Sequence, residues 1–134
     1  MSEELRVQKP DIAERSIRFA LRVIKLYKEL QPDSVGRVLG KQLLRAGTSI
    51  GANVHEAQGG QSKADFIAKM SIAHKEARET AYWLRLVRDS GLIAPNRITD
   101  ITNETDQLIR VLSSILLTAK NGERRNRQLF TLHS

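Results

Sequence analysis

A chain of 134 residues fits a single hydrophobic core, which typically serves about 100 to 200 residues. Its 40% apolar and 28% charged residues are globular in balance, and no apolar run approaches the roughly 20 residues of a membrane span. Zero cysteines exclude disulfides, thiolate metal sites and thiol nucleophiles, while 22 Lys and Arg against 15 Asp and Glu leave a charge of +7 that makes nucleic acid worth testing.

Residues Met1 to Lys9 mix Glu3 and Glu4 with Arg6 and Lys9 and lack the apolar stretch of a secretion signal, so a cytoplasmic chain without a membrane partner is expected. From about Asp11 to Leu30 the spacing predicts a helix with two adjacent apolar stripes. One holds Ala13, Ile17, Ala20, Ile24 and Tyr27; the other holds Ile12, Phe19, Val23, Leu26 and Leu30. Gln31-Pro32-Asp33-Ser34 breaks this helix and supplies a cap for the next. That second helix reaches about Gln58 on Leu39, Leu43, Ala46, Ile50, Val54 and Ala57, and Gly59-Gly60 ends it.

Ser62-x-x-Asp65 is a capping-box variant that starts a third helix, with Phe66, Met70, Ala73, Ala77, Thr80, Leu84 and Val87 facing inward and a stop at Ser90-Gly91. After Pro95 a fourth helix repeats Ile98, Ile101, Thr105, Leu108, Leu112, Ile115 and Ala119 in alternating steps of three and four. The short turns favour antiparallel neighbours. The expected fold is therefore all-α, an antiparallel up-down-up-down four-helix bundle over residues 10–120. An N-terminal segment, 1–9, precedes it, and a basic, flexible tail, 121–134, with Arg124, Arg125 and Arg127, follows.

Bundles that hold metals do so through Glu-x-x-His pairs pointing inward, and none occurs around His55, His74 or His133. Gly59-Gly60 belongs to no phosphate-loop pattern, and no serine is marked by a base and an orienting acid. A non-enzyme without metal or cofactor is expected.

On the second helix Gly36, Gly40, Gly47 and Gly51 fall within about 60° of one another. Each costs a helix roughly 1 kcal/mol relative to Ala, so a backbone must come close there, either within the bundle or from another subunit. The third helix carries a second apolar band of Ala68, Ile72, Tyr82, Trp83 and Leu86, interrupted by Glu79. A helix apolar on two sides is buried on two sides. The band marks a subunit interface, with the boundary of the monomer core as the alternative for Tyr82 and Trp83. On the first helix Arg15, Arg18, Arg22 and Lys25 form a basic ridge within about 80°, a nucleic-acid surface or else a solvated face. Aromatics make up only 4% of the chain, so phosphate contacts would carry such binding.

Leu44-Arg45-Ala46-Gly47-Thr48-Ser49-Ile50-Gly51-Ala52-Asn53-Val54-His55-Glu56-Ala57 resembles the Arg-Ala-x-x-Ser-Ile-x-x-Asn-Ile-x-Glu-Gly signature of a bacterial family. These are the four-helix-bundle proteins encoded by intervening sequences in 23S ribosomal RNA genes. Asp65-Phe66-Ile67 and the run from Ala73 to Leu86 extend the likeness, and Ala57 stands where many members have Gly. The resemblance implies a homopentamer without enzyme activity. It also implies a distant relation to the accessory variability determinant of diversity-generating retroelements, a basic pentameric barrel. From that relation RNA or DNA, and a nucleic-acid enzyme such as a reverse transcriptase, follow as expected partners. Ser49, Asn53 and Glu56 match family positions and are read as a structural polar cluster facing Glu76 and Glu79, within or between subunits. The function expected is an oligomeric, nucleic-acid-associated scaffold or adaptor; a protein-only scaffold is the alternative.

Overall fold

The computed structural model describes residues 11–132, and within them the side chains of all but 123, 126, 127 and 129–132. The readings of Met1 to Lys9 and of His133 lie outside that range. Four helices account for the described chain, with no strand among those residues: α1 Ile12–Leu30, α2 Ser34–Gln58, α3 Lys63–Asp89 and α4 Pro95–Leu132.

The helices begin where short polar side chains meet free backbone donors. Asp11 accepts from the Glu14 amide at 2.8 Å, and Asp33 accepts from the Val35 and Gly36 amides at 2.9 and 2.8 Å. Ser62 accepts from the Asp65 amide at 3.1 Å, with the Asp65 carboxylate in the positive first turn. Pro95 opens α4, where its missing amide hydrogen costs nothing. Gly91, at φ 77°, makes the turn between α3 and α4 in a conformation that other residues avoid.

α4 runs on through Asn121-Gly122 to Leu132, past the end that the apolar stripe predicts at Ala119. A glycine weakens a helix by only about 1 kcal/mol, and the Glu, Arg and Gln residues beyond it are good helix formers.

Each helix packs closely on its successor, α1 on α2, α2 on α3 and α3 on α4, whereas α1 and α4 touch sparsely. Phe19, Val23, Leu43, Ile50, Met70, Leu84, Ile98, Leu108 and Leu112 are fully buried between them. Each such side chain contributes about 1.5–3 kcal/mol by leaving water. The buried hydroxyls of Ser16, Thr80 and Thr105 donate to carbonyls of their own helices at 2.7–2.8 Å, so no polar partner need cross the core.

Of the two stripes on α1, only one is core. Phe19, Val23, Leu26 and Leu30 are buried, while Ile17 is 41% exposed and Ile24 half-buried. The glycines of α2 explain the choice. A Cβ at Gly47 would stand 2.8 and 2.9 Å from the two Val23 methyls, one at Gly51 3.1 Å from Ser16 Oγ and one at Gly40 3.1 Å from the Tyr27 ring. At Gly36 it would meet the Leu30 carbonyl oxygen. The glycine stripe thus serves the close approach of α1 within the subunit, and that approach turns Val23 inward and leaves Ile17 outside. On α4, likewise, Leu116 is buried and Ile115 half-buried, a one-residue shift from the predicted stripe.

Candidate nucleic-acid and self-association surfaces

The basic ridge lies on α1 along its sparse seam with α4. Its four members do not share one environment. Arg15 is half-buried: its Nε donates to Glu104 at 2.6 Å and its Nη2 to Gln107 at 2.5 Å. Arg18 is exposed, with Glu14 one turn away at 3.6 Å. Arg22 and Lys25 are exposed and make no hydrogen bond or ion pair among the described residues. Together with Leu26, Glu29, Arg97 and Ile101 they line an open groove between α1 and α4. Arg97, at the start of α4, donates to Glu29 at 2.6 Å. No periodicity argument on α1 could have found it, because the fold alone brings the first turn of α4 to the end of α1.

The second apolar band of α3 lies beside α2. Tyr82 is 55% exposed and Ile72 39% exposed, with Leu86 and Trp83 half-buried. Trp83 packs against the core and meets the Tyr82 ring edge-to-face at 5.0 Å; its indole N–H is buried without an acceptor among the described residues. Trp83 is therefore partly a residue of the subunit's own interior. Glu79 and Glu76 do not interrupt the band as free charges, because both accept from Arg45 of α2. Val35 and Val38 of α2, 54% and 64% exposed, were not marked by the sequence pattern. Val38 stands one heptad before Arg45 and so shares its face. The ion pairs Arg45–Glu76 and Lys69–Glu56 set a register that brings Val38 level with Trp83 and Leu86.

Ser49 and Asn53 are half-buried, but they do not reach α3 as a polar network. Ser49 Oγ donates to the Arg45 carbonyl at 2.6 Å and Asn53 Nδ2 to the Ser49 carbonyl at 2.8 Å, both within α2. Side chains this short reach their own preceding turn more readily than a neighbouring helix. Glu56 and Arg45 make the crossing instead, to Lys69 at 2.9 Å and to Glu76 and Glu79.

Among the described residues no group of three or more His, Asp and Glu is placed to hold a metal ion, and no helix is long and apolar enough to cross a membrane. His55 Nδ1 lies 2.7 Å from the Gly51 carbonyl, a local contact one turn back. His74 is held below the ordinary imidazole range by burial first, then by Arg78 and Lys120. An unfolded chain takes up that proton near pH 6.5, before the folded one does. The neutral ring's contribution to stability is thus complete above about pH 6.5 and is lost as pH falls towards the lowered folded value. The thermal midpoint of a His74→Gln variant should fall less between about pH 7 and pH 5 than that of the unaltered chain. Parallel falls in the two proteins would refute the assignment.

Among the described residues the chain is four helices, and α2 carries the signature residues from Arg45 to Glu56. The family model of the 23S rRNA-intervening sequence protein matches residues 8–114, and the chain belongs to that family. A crystal structure from Bacteroides thetaiotaomicron VPI-5482, of a protein with unknown function from the S23 ribosomal protein family, is similar to it at 43% identity and a TM-score of 0.76. The likeness covers 79% of this chain and 98% of that one. No curated protein matches the chain.

Proposed function

We propose that this protein is a non-enzymatic cytoplasmic scaffold or adaptor, an up-down-up-down four-helix bundle that assembles into a homopentamer and binds nucleic acid on its basic surface. The cross-helix pairs support the bundle order. As α1 runs forward from Ser16 to Val23 and Tyr27, its neighbours on α2 run backward from Gly51 to Gly47 and Gly40.

A closed ring of that kind joins two different faces of one chain, a heterologous contact. Two apolar faces support this reading. One holds Ile72 and Tyr82 of α3 with Val38 of α2; the other holds Ile17 and Leu21 of α1, 41% and 61% exposed, with Ile24 half-buried beside them. The observation that carries nucleic-acid binding is the run of exposed cations Arg18, Arg22 and Lys25 on one side of α1. Assembly would repeat that field and strengthen the pull on a polyanion.

Salt decides between this reading and a protein-only scaffold. Fluorescence anisotropy with a mixed-sequence RNA or DNA should show log affinity falling linearly with log salt, because phosphate contacts release counterions. An Arg18→Glu, Arg22→Glu double variant should stay folded and assembled yet bind far more weakly. No binding at about 50 mM salt would leave the protein-only scaffold, the weaker reading that the engagement of Arg15 by Glu104 favours.

A further inference from the structure

We infer that the groove between α1 and α4 is a phosphate clamp for a nucleic-acid strand, with Arg97 of α4 as its third cation beside Arg22 and Lys25. The inference rests on the nucleic-acid reading above and moves the centre of the site from the ridge as a whole to one end of the α1–α4 seam.

The seam divides into two parts. At the Arg15 end a second depression is lined by Arg15, Arg18, Phe19, Arg22 and Glu104, and there Arg15 is engaged by Glu104 and Gln107 while Arg18 faces Glu14. At the Pro32 and Pro95 end the seam is open. Arg22, Lys25 and Arg97 surround it, Glu29 is the single carboxylate in its lining, and Leu26 and Ile101 form an apolar floor. The local charge is therefore +2.

Three features suit phosphodiester oxygens. The two α1 cations stand nearly one turn apart, so neighbouring phosphates of one strand can each meet a donor. Leu26 is buried at 7% exposure and Ile101 at 6%, which limits the water competing for those donors from below. Arg97 is held across the groove by Glu29 at 2.6 Å, so part of its ordering cost is met before a ligand arrives. Its remaining guanidinium donors can turn to a phosphate without breaking that bond. The groove offers no aromatic ring for stacking, so the clamp should read backbone and not base.

The clamp also joins two helices that otherwise touch sparsely. A bound strand would tie the first turn of α4 to the last turns of α1.

The test uses the full chain with a mixed-sequence single-stranded RNA of about 15 nucleotides, long enough to cover the groove and its flanks. Each phosphate contact to a single strand contributes about 0.7 to the salt slope, which corresponds to about eightfold in affinity between about 50 mM and 1 M salt. Arg97→Glu should lose at least that factor at about 50 mM and flatten the slope by about 0.7. Arg110→Glu makes the same change in net charge at an exposed position about 140° around α4, and should lose much less.

Hydrogen exchange should in addition slow at the amides of residues 97–101 when RNA is added to the unaltered chain. Equal losses in the Arg97 and Arg110 variants overturn the clamp while leaving general nucleic-acid binding intact. Displacement of the RNA by inorganic phosphate at constant ionic strength would identify a free-anion pocket, which also overturns it. A chain that binds no RNA at about 50 mM salt overturns both this inference and the reading beneath it.

Discussion

Gly47→Val should be among the most damaging single substitutions in this protein, lowering stability by about 2 kcal/mol in urea denaturation. Two effects compete when a helical glycine gains a side chain. The helix gains about 1 kcal/mol from reduced backbone entropy, and the neighbouring surface resists the added volume at about 1–3 kcal/mol. At position 47 the second wins. The first added carbon would already stand 2.8 and 2.9 Å from the Val23 methyls, and Val23 is fully buried with a β-branched side chain that cannot swing aside. Position 51 reverses the outcome. There the obstacle is the Ser16 hydroxyl at 3.1 Å, a single rotatable oxygen, so Gly51→Ala should be neutral or stabilising by up to about 1 kcal/mol. Equal urea midpoints for Gly47→Val and Gly51→Ala would show that α1 does not sit on α2 as described.

Two double variants, Ile72→Glu with Tyr82→Glu and Ile17→Glu with Leu21→Glu, should each reduce the proposed pentamer to monomers by light scattering while keeping a full helical spectrum. All four positions are exposed, so the subunit itself loses little. Trp83→Ala is a poorer probe because Trp83 packs against the core, and its truncation would destabilise the subunit as well as the contact. The decisive observation is the mixture of the two variants. If one face docks on the other, each variant retains one good face, and together they should form a heterodimer and nothing larger. Monomers in the mixture, or an intact assembly in either variant alone, would rule out this pair of faces.

Most of the fold was legible in the sequence because its determinants are local. Asp11, Asp33, Ser62 and Pro95 fix where helices start, and the steps of three and four on α3 and α4 fix which residues face inward. α1 was ambiguous. Both of its stripes are apolar, and the glycines of another helix favour Val23 over Ile17 for the interior. The surfaces were less legible for the same reason. The spacing of Arg15, Arg18, Arg22 and Lys25 is visible along the chain, but Glu104, which neutralises Arg15, and Arg97, which extends the positive field, are 89 and 75 residues from the α1 side chains they stand beside or face, too far for any pattern to link. Ser49 and Asn53 show the limit of reach within the subunit, since both bond to the preceding turn of α2.

The unequal seams also bear on how the molecule is made. Every extensive contact joins helices that follow one another directly, and only the sparse α1–α4 seam closes the longest loop. The entropy of bringing distant segments together is thus spent on few contacts, a topology that favours fast folding. A nascent chain can seat α1 on α2 through the glycine stripe before α4 has been synthesised. The last helix then completes the core without unmaking anything already formed.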